Sequence, residues 1–349
     1  MTNRQTKQRT NHGKKVRGRA ASVKGYLKIG LAILIVAGLA RGAHLLIQGG
    51  NQPAAKPTST PKTSQSVPAS KKEKTAGKRQ TLLAQAERHA KQYDYEAAIK
   101  QLQDPVFAHD SEATDKIEAY KTAQSQLVRH EDVTDITHVF FHSLIVDPAL
   151  AFNPPANVDG YNDYMTTVTE FKRMLKAFYA GGFVLVSPHD MVKKVTAADG
   201  TETFTAGDIL LPEGKKPMVM SQDDVNYYKN MTGFGFADKL VVDKDGAVKA
   251  EYIDPKTKKT SVGAYDLVPI LDAFIEEHPE FSYHNHKAVI CETGYEGALG
   301  YHDVKTTGSA DFKAAKAVAD AMKADGYEFA SHFLCPYRLR CGNGSSSPR

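Results

Sequence analysis

The sequence has few cysteines and lacks several common catalytic motifs. Its 349 residues contain only three cysteines, which cannot form a disulfide framework, and no Cys-x-x-Cys metal pattern occurs. It has no glycine-rich phosphate loop, no Gly-x-Ser-x-Gly nucleophile elbow and no His-Glu-x-x-His zinc motif. These absences argue against P-loop nucleotide hydrolases, α/β-hydrolases and zincin proteases. Cys291 lies in an apolar run and is expected to be a buried, unreactive thiol.

Acidic residues are absent from the first part of the chain. No Asp or Glu precedes Glu73, whereas nine Lys or Arg side chains occur within 1–28. The net charge of +5 is therefore a property of this basic arm and not of the folded body. A basic arm is compatible with nucleic-acid binding, but the apolar segment that follows favours a membrane. We therefore predict no nucleic-acid partner.

A long uninterrupted apolar run is also missing. Ile29–Ala40 is shorter than the roughly 20 residues that span a bilayer, but Gly42–Ile47 continues it across Arg41. Because the basic flank is entirely N-terminal, we predict a single-pass transmembrane signal anchor at 29–47. Its N-terminus would be cytoplasmic, and the rest of the chain would lie outside the bacterial cell membrane. A cleaved signal peptide, with small residues from Gly38 onward, is the alternative.

Composition and periodicity divide the remainder. Segment 48–79 is rich in Pro, Ser, Thr, Lys and Gln, which predicts a disordered linker. Segment 80–131 shows three helical patterns and is predicted to be a helical hairpin module that packs on the main domain, since a helical solenoid needs about three repeats. From 135 onward strands alternate with helices, which predicts an α/β fold with a largely parallel sheet.

The elements of this α/β part are predicted from apolar runs and from their flanking turn residues. The predicted strands are Thr137–Leu144, Phe183–Ser187, Pro217–Met220, Ala288–Glu292 and Tyr327–Ser331. The predicted helices are Val168–Tyr179, Leu267–Glu277 and Phe312–Ala324. An insert at Phe234–Val262 contains Asp-Gly turn chemistry, which predicts a peripheral hairpin.

Two adjacent carboxylates follow the strand that begins at Pro217. Asp223 and Asp224 would stand at its carboxyl end, where parallel α/β folds gather their functional loops. By itself, such a pair is more often solvated or used to cap the next helix. It becomes informative through its neighbours in the sequence.

The segment Pro217–Asp224 resembles the first motif of polysaccharide deacetylases, the domain shared by chitooligosaccharide, peptidoglycan and xylan deacetylases. The family form ends in Thr-Phe-Asp-Asp, so Ser221-Gln222 departs from it while both carboxylates remain. Val139–His142 is similar to the family's opening strand. Glu328–His332 is similar to the strand that leads into its His-Ser/Thr-x-x-His motif. The resemblance covers 135–332 and implies a partial, distorted (β/α) barrel.

This resemblance implies a metal-dependent hydrolase of N- or O-acetyl groups on a cell-wall or extracellular polysaccharide. It assigns Asp224 and His332 as ligands of a divalent metal, with zinc the first choice, and Asp223 as the general base. His142 and Tyr295 are further candidates for lining the site, although a strand-end histidine such as His142 is more often structural. No protein partner is predicted.

Two features of the sequence depart from a complete site. Pro336 occupies the position of the family's second histidine ligand, and the family's later motifs have no counterpart. The tail 333–349, which carries Cys335 and Cys341, shows no periodic element. We expect a domain cut short after His332, with a frameshift as one explanation and a divergent tail as the other, and we expect reduced activity in this form.

Other interpretations remain open. A non-catalytic scaffold or interaction protein of the cell wall would keep the fold without the chemistry. A glycoside hydrolase would need acidic residues on separate strands, which the single Asp223-Asp224 cluster does not provide. The His-Asn-His sequence at 284–286 has a metal-like appearance, but its place in a loop before a strand predicts solvated side chains.

Overall fold

The structure is a computed structural model that describes residues 69–332. The predicted basic arm 1–28, membrane anchor 29–47 and tail 333–349 lie outside these residues. Between residues 69 and 332 no helix has both the length and the apolar character needed to cross a bilayer.

Eight helices and twelve strands occur in this range. The helices are α1 Ala69–Lys91, α2 Tyr95–Leu102, α3 Ser111–Ser125, α4 Pro148–Ala151, α5 Val158–Tyr164, α6 Val168–Ala180, α7 Leu267–Glu277 and α8 Ala310–Ala324. The strands are β1 Val128–Arg129, β2 Thr137–Phe141, β3 Phe183–Leu185, β4 Val192–Thr196, β5 Glu202–Ala206, β6 Leu210–Leu211, β7 Lys216–Asp223, β8 Lys239–Val242, β9 Val248–Ile253, β10 Thr260–Gly263, β11 Val289–Glu292 and β12 Glu328–Ser331.

Helices α1, α2 and α3 form a helical module. Asp94 and Asp110 cap α2 and α3 by accepting backbone N–H bonds, which satisfies donors that a helix leaves free at its start. The module buries a small apolar cluster of its own, made of Ala86, Leu102, Phe107 and Ala113. It also packs on the α/β part, where the Tyr93 hydroxyl donates to the Glu280 carbonyl at 2.8 Å.

Helix α1 begins at Ala69, inside the segment predicted as linker. The end of that segment contacts the rest of the module, because the Arg79 guanidinium pairs with Asp110 and Glu112 at 2.6 Å each. Lys78 pairs with Asp104 at 2.9 Å. Composition alone favoured a flexible chain here, whereas these pairs become available only once the module has folded.

A five-stranded parallel sheet forms the centre of the α/β part. Strand β7 pairs with β2 along Met218–Gln222, with β3 along Lys216–Met218 and with β11 along Ser221–Asp223. Strand β12 continues the sheet beyond β11, also in parallel. The predicted α/β class and parallel sheet are confirmed, and β7 runs past its predicted end as far as Asp223.

Helices α6, α7 and α8 share one apolar core with this sheet. Its members include Phe171 and Leu175 of α6, Leu271 and Ile275 of α7, Val318 of α8, Met218 and Met220 of β7, and Ile290 of β11. Strand β7 is buried along most of its length, which agrees with its continuous apolar run Pro217–Met220 in place of an alternating pattern. The core therefore fixes the strand whose end carries the Asp pair.

Besides the two-residue antiparallel pair of β1 with β6, two larger antiparallel units lie outside the parallel sheet. Strands β8, β9 and β10 form a meander, which confirms the predicted hairpin and adds a third strand. Its first turn contains Gly246 at φ +84°, and Asp243 Oδ1 accepts the N–H groups of Asp245 and Ala247. The β4–β5 hairpin was not predicted, because both strands are almost wholly exposed and lack an apolar alternation.

Candidate functional site

The carboxyl ends of β7, β11 and β12 bring three predicted site residues together. The His332 ring lies beside both aspartates, with Nδ1 3.3 Å from Asp224 Oδ1 and Nε2 3.8 Å from Asp223 Oδ2. Backbone bonds hold this arrangement. The Asp224 N–H donates to the Cys291 carbonyl at 3.0 Å, and the His332 N–H donates to the Glu292 carbonyl at 2.9 Å. The strand register therefore determines which side chains meet.

Asp224 has an unusual backbone conformation. Its φ is +56°, in the left-handed region that costs most residues about 1 kcal/mol and that Asp tolerates better than most. The turn is closed by the Asn226 N–H, which donates to the Asp224 carbonyl at 2.7 Å. This turn ends β7 abruptly and leaves the Asp224 side chain facing His332.

Asp223 is oriented by a hydroxyl group. Ser221 Oγ donates to Asp223 Oδ1 at 3.2 Å, and His138 Nε2 lies 3.0 Å from the same hydroxyl. The Cys291 thiol lies next to Asp223 in the sheet. Burial, and then the charge of Asp223, raise the pKa of Cys291 to about 12, which agrees with the expectation of an unreactive thiol, although the residue is only half-buried.

Gln222 belongs to a buried polar network. Its amide nitrogen donates to Asp266 Oδ1 at 2.9 Å. Asp266 Oδ1 also accepts the N–H groups of Leu144 and Leu267, at 3.0 Å and 2.7 Å, and the Tyr227 hydroxyl donates to Oδ2. Burial raises the pKa of Asp266, while these hydrogen bonds oppose the shift. The network therefore holds the end of β7 against the segments that contain Leu144 and Leu267.

Glu292 is a carboxyl group of the site that the sequence analysis did not single out. Its Oε1 accepts the Leu299 N–H at 3.3 Å, and its Oε2 is buried without a hydrogen-bond partner. Burial, with a smaller contribution from the Asp224 charge, raises the pKa of Glu292 to about 8 against the opposing Leu299 hydrogen bond. The sequence did contain one signal for this residue, since Glu292 is the last residue of a predicted apolar strand.

The donors of the site fit part of a metal coordination sphere. Two atoms bound to one tetrahedral zinc at about 2.0–2.2 Å lie roughly 3.3–3.5 Å apart, which matches the 3.3 Å between Asp224 and His332. Asp224 Oδ1 is buried and has no hydrogen-bond partner. No three His, Cys, Asp or Glu side chains within 69–332 are grouped to hold an ion as they stand. Position 336 lies outside the described residues, and the Pro336 side chain has no donor atom.

The two site-lining candidates differ in their surroundings. His142 Nδ1 lies 3.2 Å from the Tyr164 carbonyl, as expected for a structural histidine. Tyr295 is 53% exposed, and its ring lies 6.0 Å from that of Tyr228. The sequence analysis did not name Tyr228, whose pKa is raised by burial first and then by the charge of Asp224.

Comparison with known proteins adds no family. The chain matches no protein-family model, no curated protein and no solved structure. What the site does is therefore inferred from its own residues and from the motifs at Pro217–Asp224 and Glu328–His332.

Proposed function

We propose that the protein is a membrane-anchored, extracytoplasmic polysaccharide deacetylase that hydrolyses N- or O-acetyl groups on a cell-wall or extracellular polysaccharide. The proposal includes the partial, distorted (β/α) barrel of that family, of which the parallel sheet and its helices would be the core. One observation carries it. Asp223, Asp224 and His332, the three residues that the motif resemblance selects, meet at the carboxyl ends of β7 and β12.

Each residue has a role that its contacts support. Asp224 and His332 would hold the divalent ion, since zinc takes mixed oxygen and nitrogen ligands. When bound, such an ion lowers the pKa of water toward neutrality and polarises an acetyl carbonyl. Asp223 would act as general base through Oδ2, because Ser221 occupies Oδ1 and leaves Oδ2 facing His332. Water would give its proton to Asp223 and add to the acetyl carbon, the C–N or C–O bond to the sugar would then break, and the sugar amine or hydroxyl would take up a proton as acetate is released.

A specific observation favours a second candidate, a non-catalytic scaffold of the cell wall. Pro336 stands where the family's second histidine ligand would be. A site with two protein ligands instead of three binds zinc more weakly, because nothing in the motif replaces the lost bond. In this alternative the fold is retained for binding and the chemistry is lost.

Zinc titration of the metal-free full chain, combined with an acetate-release assay on acetylated chitooligosaccharides, tests the proposal. Asp224→Asn and His332→Gln should each lower the zinc stoichiometry by about one, whereas Asp223→Asn should keep zinc and lose acetate release. Pro336→His should tighten zinc binding by at least about tenfold, since losses of that size follow even from changes behind the ligands. Asp163→Asn, an exposed carboxylate of α5, is the matched control.

The two candidates give different results. Acetate release that increases in the Pro336→His variant and disappears in the Asp223→Asn variant supports the enzyme. Zinc binding without acetate release in either chain supports the scaffold. A zinc stoichiometry that Asp224→Asn and His332→Gln leave unchanged contradicts the metal site.

A further inference from the structure

A second group of imidazoles and carboxylates lies at the amino ends of β11 and β12. It lines a cavity of about 480 Å³ whose walls include Ser187, Asp190, His284, His286, Lys323 and Glu328. Strand β12 begins at Glu328 and ends just before His332, so at about 3.3 Å per residue the two groups are roughly 13 Å apart. This cavity is therefore separate from the Asp224 site.

Glu328 lies between two histidines. Its Oε1 is 3.3 Å from His286 Nδ1, and its Oε2 is 3.5 Å from His189 Nε2. Both distances exceed the 2.7–3.2 Å of a good hydrogen bond. Both equal the separation, about 3.3–3.5 Å, of two atoms bound to one tetrahedral ion. The contact between Asp224 and His332 has the same length.

The carboxylate and one imidazole are held in place. The Ser187 hydroxyl donates to Glu328 Oε1 and accepts the His189 N–H at 3.0 Å, which keeps the backbone of His189 beside the carboxylate. His286 is only 6% exposed, and its Nε2 is buried without a hydrogen-bond partner. Because Nδ1 is the nitrogen that faces Glu328, Nδ1 is the atom that would bind a metal, and Nε2 would carry the proton of the neutral ring.

The third group is free to move. The His189 side chain is 88% exposed, so its ring can rotate about the side-chain bonds without disturbing the core. Burial lowers the pKa of His286 to about 4, so at pH 7 the ring is neutral and keeps the lone pair that a metal needs. Asp190 adds a second carboxylate to the cavity, while Lys323 contributes one opposing positive charge.

We propose that His286, Glu328 and His189 form a second metal site, which binds a divalent transition-metal cation and closes when the exposed His189 ring turns inward. Two imidazoles and one carboxylate favour zinc, nickel or copper over magnesium or calcium. The ion would join the turn at Pro188–Met191 to the loop before β11 and to the start of β12. It would act as a structural cross-link.

The full chain carrying Asp224→Asn and His332→Gln isolates this site, and zinc is the probe. Calorimetric titration of the metal-free protein should show about one equivalent of zinc still bound. Adding His189→Gln should weaken that binding by at least about tenfold, and adding His286→Gln should abolish it. The His109→Asn variant, which removes an exposed histidine of the helical module, should leave it unchanged.

If His286 is needed for folding, the His189→Gln variant decides the test. His189→Gln removes a side chain with little packing, so the thermal unfolding of the metal-free protein should not change. Zinc should raise the unfolding temperature of the chain carrying Asp224→Asn and His332→Gln, and it should raise that temperature less once His189→Gln is added. The proposal is overturned if the chain carrying Asp224→Asn and His332→Gln binds no zinc. It is also overturned if adding His189→Gln to that chain leaves its zinc affinity unchanged.

Discussion

Two aspartates close to the end of β7 have opposite environments. Asp266 is almost fully buried, and its carboxylate accepts four hydrogen bonds, one of them from Gln222 of β7. Asp224 follows the carboxyl end of the central strand β7 in a left-handed conformation, and its Oδ1 is buried without a hydrogen-bond partner. The first carboxylate is used entirely by the fold. The second keeps a free lone pair and a strained backbone, which is typical of a functional position.

Glu292 resembles Asp224 more than Asp266. It has one hydrogen bond at Oε1 and none at Oε2, and burial raises its pKa to about 8. Two carboxylates with unpaired oxygens therefore lie within one site, next to a His332 ring. Grouping of poorly satisfied acidic groups is expected where a cation or a reacting proton is to be bound.

The largest effect should come from removing the satisfied carboxylate. Asp266→Ala removes the acceptor of four hydrogen bonds, and of their donors only the Gln222 amide has another acceptor, the His142 carbonyl, so we expect the free energy of unfolding to fall by about 3–5 kcal/mol. Asp266→Asn is the control, because its oxygen still accepts the N–H bonds and the Tyr227 hydroxyl can accept instead of donating. Urea denaturation of both variants measures the difference. Equal losses would show that the hydrogen bonds do not carry the stability.

A smaller effect of the opposite sign should follow from Glu292→Gln in chelator-treated protein. The folded chain holds a proton that the unfolded chain releases between the ordinary pKa of 4.5 and about 8, so stability falls as pH rises through this window. Glutamine removes this dependence. The stability of the variant relative to the parent should therefore increase by about 2 kcal/mol from pH 5 to pH 7.

Denaturation at several pH values measures this change. Glu277→Gln, at the exposed end of α7, controls for the loss of one negative charge. A parent and a Glu292→Gln variant with parallel stability curves would mean that Glu292 is ionised in the fold like an exposed carboxylate.

The smallest effect on stability should come from Asp224→Asn. Asparagine also tolerates positive φ, and the change removes a charge whose Oδ1 has no hydrogen-bond partner, so we expect a shift within about 0.5 kcal/mol. Asp224→Ala, which does not favour this conformation, should cost about 1 kcal/mol. Denaturation of the metal-free variants measures both values. A large loss of stability in Asp224→Asn would show that Asp224, like Asp266, stabilises the fold.

Local patterns in the sequence predicted much of the α/β part. Helix α7 has its predicted bounds, Leu267–Glu277, because its apolar periodicity and the Asp266 cap are both local signals. The apolar run from Pro217 predicted a buried parallel strand for the same reason. The exposed β4–β5 hairpin and the early start of α1 carried no such signal, since neither is defined by a buried face along its own sequence.

The environments of the acidic residues could not be predicted in the same way. Asp266 meets the Leu144 N–H across 122 residues of sequence, and Gln222 enters the network only because β7 pairs with β2. Likewise, the unpaired oxygen of Glu292 depends on how deeply β11 is buried. Burial and partners are properties of the assembled sheet, so identical side chains in the sequence acquire different chemistry.

By itself, the sequence determined that two adjacent carboxylates follow a buried strand and that a histidine follows another, because apolar runs and their polar ends are local. Only the tertiary structure decided that these ends are neighbours, through the parallel register of β7, β11 and β12. It also decided that Glu328 would stand between His189 and His286. The physical reason is that strand pairing and burial, which no single segment contains, set the distances between charged groups and the water left around them.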